Sequence, residues 1–303
     1  AIVFQKELGT IYDKMVRIRH LPKDMANYLD FGEETLDDID RAAYLSKADL
    51  VTKMVNEFTE LQGVMGREYA KISGENDIVS LAIYEHYLPR FANDELPTTT
   101  AGSIISITDK LDTIVGCFSI GIQPTGSQDP YGLRRQSLGI INIILDKNLN
   151  ISLNEIIEYS LNIYKESGLN FDYDSVKRDI LEFFYGRLRN MFIDKGIRYD
   201  VVDSVLNTDQ DNITDLFIRA EELNSWINNE ELEEILTAFN RVQNLSVKAS
   251  DNNVKRDLLS EDEEIKLYEI YNDIEKKVDD SVEKKEYDKA LDYLISLKTP
   301  IDG

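Results

Sequence analysis

The chain has 303 residues, 42% of them hydrophobic and 30% charged, with a formal net charge of −23 at pH 7. That length accommodates two domains, each with its own core. The charge excludes a broad basic face for nucleic acid, and with it non-specific DNA binding, but leaves room for local arginine clusters. No apolar run approaches the length of a membrane span and no signal-peptide pattern opens the chain. The single cysteine, Cys117, excludes an internal disulfide, reads as a small buried hydrophobe, and leaves the cytoplasm as the default compartment. The opening Ala-Ile-Val-Phe, without a Met, is read as the start of a piece of something longer.

In chain order, residues 1–20 read as a helix with Phe4, Leu8, Ile11, Tyr12 and Met15 inward. Thr35 with Asp38 predicts a capped start, followed by a long helix with Val51, Met54, Val55 and Phe58 on its core stripe. Glycines at 63 and 66 break the next run, and Ile78–Leu88 is a short helix stopped by Pro89. Leu111, Ile114, Val115 and Phe118 form the apolar stripe of a further helix. After it comes a turn-rich loop at 124–129, where Asp129 caps a helix beginning at Pro130 and carrying Arg134 and Arg135.

The pattern relaxes at 146–151, and the domain boundary is placed there, giving domains at 1–148 and 149–303. Ser152 with Glu155 marks the start of a helix to Glu166. Helices follow at 174–195 with Gly196 as its stop, then at 200–206, 214–227, 230–242, 261–278 and 281–297, with a polar loop at 246–257. Strand signals are nearly absent, so the chain reads as all-α in two helical domains.

No catalytic set stands out. The histidines, His20 and His86, lie far apart, and His86 reads as a surface or capping residue; no zinc pattern, Walker loop or dinucleotide fingerprint is present. Adjacent arginines cannot both face a core, so Arg134 and Arg135 are solvated, paired with a carboxylate such as Asp129, or bound to phosphate. Arg187, Arg189, Lys195 and Arg198 form a second basic cluster. Tyr185, Phe192 and Tyr199 interleave with it as stacking surfaces for unpaired bases, unless Phe192 packs in the core and the arginines pair with acids on adjacent helices. Lys110 joins these as a tRNA-contact candidate under the resemblance that follows.

The runs AAYLSKADLVT (42–52), MVNEFTELQGVMG (54–66), EHYLPR (85–90), DKLDT (109–113) and PTGSQDP (124–130) with Leu133-Arg134-Arg135 resemble the β subunit of bacterial heterotetrameric glycyl-tRNA synthetase. The resemblance implies a C-terminal portion of that subunit: a helical domain related to HD phosphohydrolases, then a helical-bundle anticodon-binding domain, with Phe183–Leu206 similar to the latter's signature region. It implies tRNA binding in support of ATP-dependent glycylation, the first domain near the acceptor side and the second near the anticodon. The partners implied are glycine tRNA and an α subunit that holds ATP and magnesium, with no catalytic residue and no cofactor in this chain. Asp109 stands where the last metal-binding aspartate of an HD enzyme would be, while 45–49 lacks the His-Asp pair. Two alternatives are a metal-dependent HD-type phosphohydrolase using Asp109 and a subunit scaffold that touches RNA little.

Overall fold

A computed structural model describes residues 2–247 and 254–302. The described residues are mainly helical, with one short antiparallel hairpin of β1 (Val3–Gln5) and β2 (Gly9–Thr10). The hairpin replaces the helix expected at 1–20. Gly9 turns the chain at φ 87°, and Thr10 then caps α1 (Ile11–Leu29) in a reciprocal box with Asp13. The long helix expected through Val51 and Phe58 is also absent. A 3₁₀ turn at Ala48–Val51 ends where the Thr52 side chain caps the five-residue α3 (Lys53–Glu57), which leaves Val51, Met54 and Phe58 exposed. Most of the loop expected at 246–257 lies outside the described residues.

Residue contacts group the chain into two units, Ala1–Met191 with Asp209–Thr214 and Phe192–Thr208 with Asp215–Gly303. In the first unit α6 (Thr100–Ser119) is the axis. It packs on α1, α2 (Glu33–Leu45), α5 (Asp77–Glu85), α7 (Leu133–Asp146) and α8 (Leu153–Glu166). Every residue from Ala101 to Ser119 is buried except Asp109, the polar face included, because neighbours pack on all sides of the helix. Its hydroxyls avoid unsatisfied burial by bonding to carbonyls, Ser103 to Thr99 and Ser119 to Val115 one turn back, and Ser106 to Leu88 outside the helix.

The start of α6 is fixed by the buried Glu85. Its carboxylate accepts the amides of Thr98 and Thr99 at 2.7 and 3.0 Å and both their hydroxyls. Negative charge at a helix N-terminus is stabilising, and these donors replace the lost water. Close approach is permitted by missing side chains. A Cβ on Gly102 would sit 2.3 Å from Glu85, and one on Gly116 would sit 2.4 Å from the Tyr164 hydroxyl.

Ser152 caps α8 through the Glu155 amide at 3.1 Å, and α8 packs on α6 and α1. Asp129 does stabilise a helix start, but not at Pro130. Its carboxylate accepts the amides of Leu133 and Arg134, and α7 begins at Leu133 after Gly132 at φ 64°.

The second unit contains α10 (Tyr199–Leu206) and builds a smaller core from α12 (Glu230–Ser246), α13 (Asp262–Glu283), α14 (Tyr287–Ile295) and α15 (Lys298–Asp302). Leu232, Ile235, Ala238, Ile274 and Leu297 are its buried centre, with Trp226 packed against them. The helix expected at 281–297 is interrupted at Lys285, which turns with φ 58°. On α14, Tyr287 donates to Asp215, and Arg219 bonds both the Tyr287 oxygen and Asp215.

Candidate functional site

The residue that the sequence singled out, Asp109, lies in a buried knot of charge. Lys14 on α1 places its ammonium 3.1 Å from Asp109 Oδ1 and 3.1 Å from Asp112 Oδ2. The same group donates to the Asp109 carbonyl and the Thr113 hydroxyl. Arg17, one turn on, grips both oxygens of Asp112 at 2.6 and 3.2 Å and donates to the Leu8 carbonyl. Its guanidinium stacks 4.6 Å from the Tyr164 ring centre, and the Tyr164 hydroxyl donates to the Asp112 carbonyl.

Lys47, in the turn after α2, reaches the other Asp109 oxygen at 3.1 Å and His86 Nε2 at 2.8 Å. His86 follows α5 and is fully buried, not a surface residue; its Nδ1 meets the Ile83 carbonyl at 2.6 Å. Burial, then the adjacent Lys47 ammonium, pushes the His86 pKa well below its ordinary value, so the ring is neutral. Burial alone would raise the Asp109 pKa, but Lys14 and Lys47, with smaller help from His86 and Lys110, hold it far below the usual carboxylate range. The Cys117 thiol is buried on the same helix and pushed up to about 12, as fits a small hydrophobe.

This donor set does not fit a divalent metal. Two ammonium groups bracket the only carboxylate that faces His86, and a bound cation would have to displace them. No group of three or more His, Cys, Asp or Glu able to hold a metal occurs among the described residues.

The remaining sequence candidates are scattered. Lys110 is buried. Its ammonium donates to Ser106 Oγ and to the Leu88 carbonyl, at 2.7 and 2.9 Å, and points to the His86 carbonyl, so it is not presented to RNA. Burial pulls its pKa down to about 7, opposed by Asp109 and reinforced by Lys47 and Lys14. Arg134 and Arg135, at the start of α7, form no ion pair among the described residues; Asp129 takes the Arg134 amide rather than its guanidinium.

On α9 (Tyr173–Asp194), Tyr185 and Arg189 are partly buried. The Arg187 guanidinium lies 5.6 Å from the Phe183 ring centre, with its Nε buried and unbonded. These three belong to the first unit. Lys195, Arg198 and Tyr199 belong to the second. Lys195 sits over the Phe217 ring, Arg198 forks onto Asp200, and Tyr199 is 64% exposed.

Comparison with known proteins decides the family. A family model described as glycyl-tRNA synthetase beta subunit matches residues 1–207. The chain belongs to the glycyl-tRNA synthetase beta-subunit family. It is 53% identical over 302 residues to the glycine–tRNA ligase beta subunit of Clostridioides difficile strain 630, covering 100% of this chain and 44% of that relative. The corresponding beta subunit of Desulforamulus reducens is 44% identical, over 99% of this chain and 44% of its own length. That of Bacillus subtilis strain 168 is 40% identical, over 100% and 43%. The chain therefore spans less than half the length of these relatives.

Within this beta-subunit family member, sequence reasoning found Asp109 but missed Lys14, Arg17, Lys47 and the burial of His86. Lys14 and Arg17 carried a signal, two cations three residues apart on the face of α1 that also holds Leu21 and Met25. Lys47 carried none, because its partners come from 39 and 62 residues away.

Proposed function

We propose that this chain is the tRNA-binding portion of a glycine–tRNA ligase β subunit, supporting ATP-dependent glycylation of tRNA by an α/β enzyme in the cytoplasm. The observation that carries this reading is the 53% identity, over essentially the whole chain, to a glycine–tRNA ligase beta subunit. In this reading residues 1–148 are an HD-like helical domain near the acceptor side, and residues 149–303 an anticodon-binding domain. The partners are glycine tRNA and an α subunit in a heterotetramer, the α subunit holding ATP and magnesium.

Arg134 and Arg135 support RNA contact, because a strongly acidic chain leaves them without an ion pair among its described residues. Tyr199, exposed beside Arg198, supports base stacking. A metal-dependent phosphohydrolase is disfavoured by the two lysines on Asp109.

Filter binding of glycine tRNA to the full-length enzyme across a salt series tests the proposal. Affinity should fall as salt rises, because bound phosphates release counterions. A salt-independent, negligible affinity would leave the scaffold reading. The Arg187→Ala, Arg189→Ala, Arg198→Ala triple variant should weaken tRNA binding, and unchanged affinity removes the anticodon-side assignment. The Arg134→Ala, Arg135→Ala variant should charge tRNA poorly, and normal charging leaves those arginines a purely structural role.

A further inference from the structure

His86 is presented as a metal ligand is. Its Nδ1 is engaged by a backbone carbonyl, the Ile83 oxygen at 2.6 Å, which fixes the ring and directs the Nε2 lone pair into the knot. Metal-bound histidines are oriented by the same device. An aspartate carboxylate, Asp109, converges on the same point from α6. What occupies that point is the Lys47 ammonium, 2.8 Å from His86 Nε2 and 3.1 Å from Asp109 Oδ2, with the Tyr87 ring 4.3 Å away on a further side. These are hydrogen-bond distances, longer than the roughly 2.0–2.2 Å of a metal–nitrogen or metal–oxygen bond.

We infer that Lys47 is a built-in cation: its ammonium holds the position from which a divalent ion would bridge His86 and Asp109, and keeps such an ion out. The ammonium supplies one positive charge and directed N–H donors, which meet a neutral imidazole nitrogen and a carboxylate oxygen. Lys14 completes the neutralisation from the other carboxylate oxygen. Three cations, Lys14, Arg17 and Lys47, thus share two carboxylates, Asp109 and Asp112, through direct ion pairs. Adding a divalent ion to that balance is strongly unfavourable at low dielectric. The turn that carries Lys47 is fixed beside it, where the Ser46 hydroxyl bonds the Ala43 carbonyl. This inference is independent of the RNA-binding reading, since it concerns only what fills the knot.

The test uses the full-length protein. Equilibrium dialysis against Zn²⁺ and Mn²⁺ should find no stoichiometric site that Asp109→Asn removes, and finding one overturns the inference. Lys47→Ala should lower the thermal midpoint, and Lys47→His, which adds a third ligand beside His86 and Asp109, should gain a 1:1 Zn²⁺ site. Zn²⁺ should then raise the midpoint of this variant but not of the parent, and Co²⁺ should give it visible absorption that His86→Gln abolishes. An unchanged midpoint in Lys47→Ala, or no metal affinity in Lys47→His, refutes the assignment. Nitrogen NMR of the parent protein decides even if those variants do not fold. His86 should hold its proton on Nδ1, with Nε2 an acceptor, unchanged from pH 6 to 8. A protonated Nε2, as neutral tautomer or imidazolium, overturns the proposal.

Discussion

Lys14 and Asp112 meet at 3.1 Å in the interior of the first unit; Lys277 and Asp273 meet at 2.7 Å on the surface of α13 in the second. The residue types are the same and the shorter pair is the exposed one, yet depth makes the buried pair matter more. Buried Lys14 and Asp112 have given up their water, and each depends on the other and on Asp109, Thr113 and Arg17 for replacement. Lys277, Lys284 and Lys289 keep theirs, and their intrahelical pairs compete with solvent and salt. Length of contact is therefore a poor guide to which charges hold this molecule together.

The largest effect is expected at Asp112. Asp112→Ala leaves Lys14 short of a partner and strands Arg17, and breaking a buried pair in this way costs about 3–5 kcal/mol. Amide hydrogen exchange along α6 should accelerate, while the fluorescence of Trp226, the only tryptophan, reads the second unit and should move little. A loss confined to the Trp226 transition would reverse the comparison. Next is Gly116→Ala, which drives a methyl into the Tyr164 hydroxyl and costs about 1–3 kcal/mol by overpacking. Tyr164→Phe in the same background should recover part of that loss, and no recovery would place the clash elsewhere.

A pH series sharpens the comparison further. Native Lys110 releases its proton near pH 7, whereas the unfolded lysine keeps it to about 10.5. Between those values the unfolded state binds more protons, so stability rises with pH and the buried lysine is least favourable below pH 7. The whole interval is worth a few kcal/mol, at about 1.4 kcal/mol per pKa unit. Urea unfolding from pH 7 to 9.5 should show a shallower rise in Lys110→Met than in the parent; equal slopes would mean that Lys110 is not the group responsible. Smallest of all, Lys277→Ala and Lys284→Ala should leave the Trp226 transition where it is, at low and at high salt.

Local signals were read well where the chain itself supplied the partner. Ser152 caps α8 from three residues away, and Gly196, at φ 92°, follows the end of α9 as its composition implied. The apolar stripe of α6 was legible, although the burial of its opposite face was not, because α1, α2, α5, α7 and α8 all pack on it. The start of the chain was misread because Phe4 and Leu8 satisfy a helical spacing while Gly9 and the Thr10–Asp13 box place the helix start at Ile11. Within the knot only Asp109 could be named in advance. Lys47 and His86 meet it through tertiary packing, and nothing in their immediate neighbours marks them; Lys14 is marked only by its spacing from Arg17 on α1.

The near-complete burial of α6 has a consequence for synthesis. Its covering helices α7 and α8 come later in the chain, so α6 is synthesised before they are. At about 5–20 residues per second, residues 120–166 take roughly 2–10 s to follow. During that interval the flank of α6 that α7 and α8 will cover, where Gly116 meets Tyr164 and Lys110 meets Gly139, has no partner from those helices. Slowing or pausing translation between residues 119 and 166 should therefore lengthen the time that α6 waits for its cover.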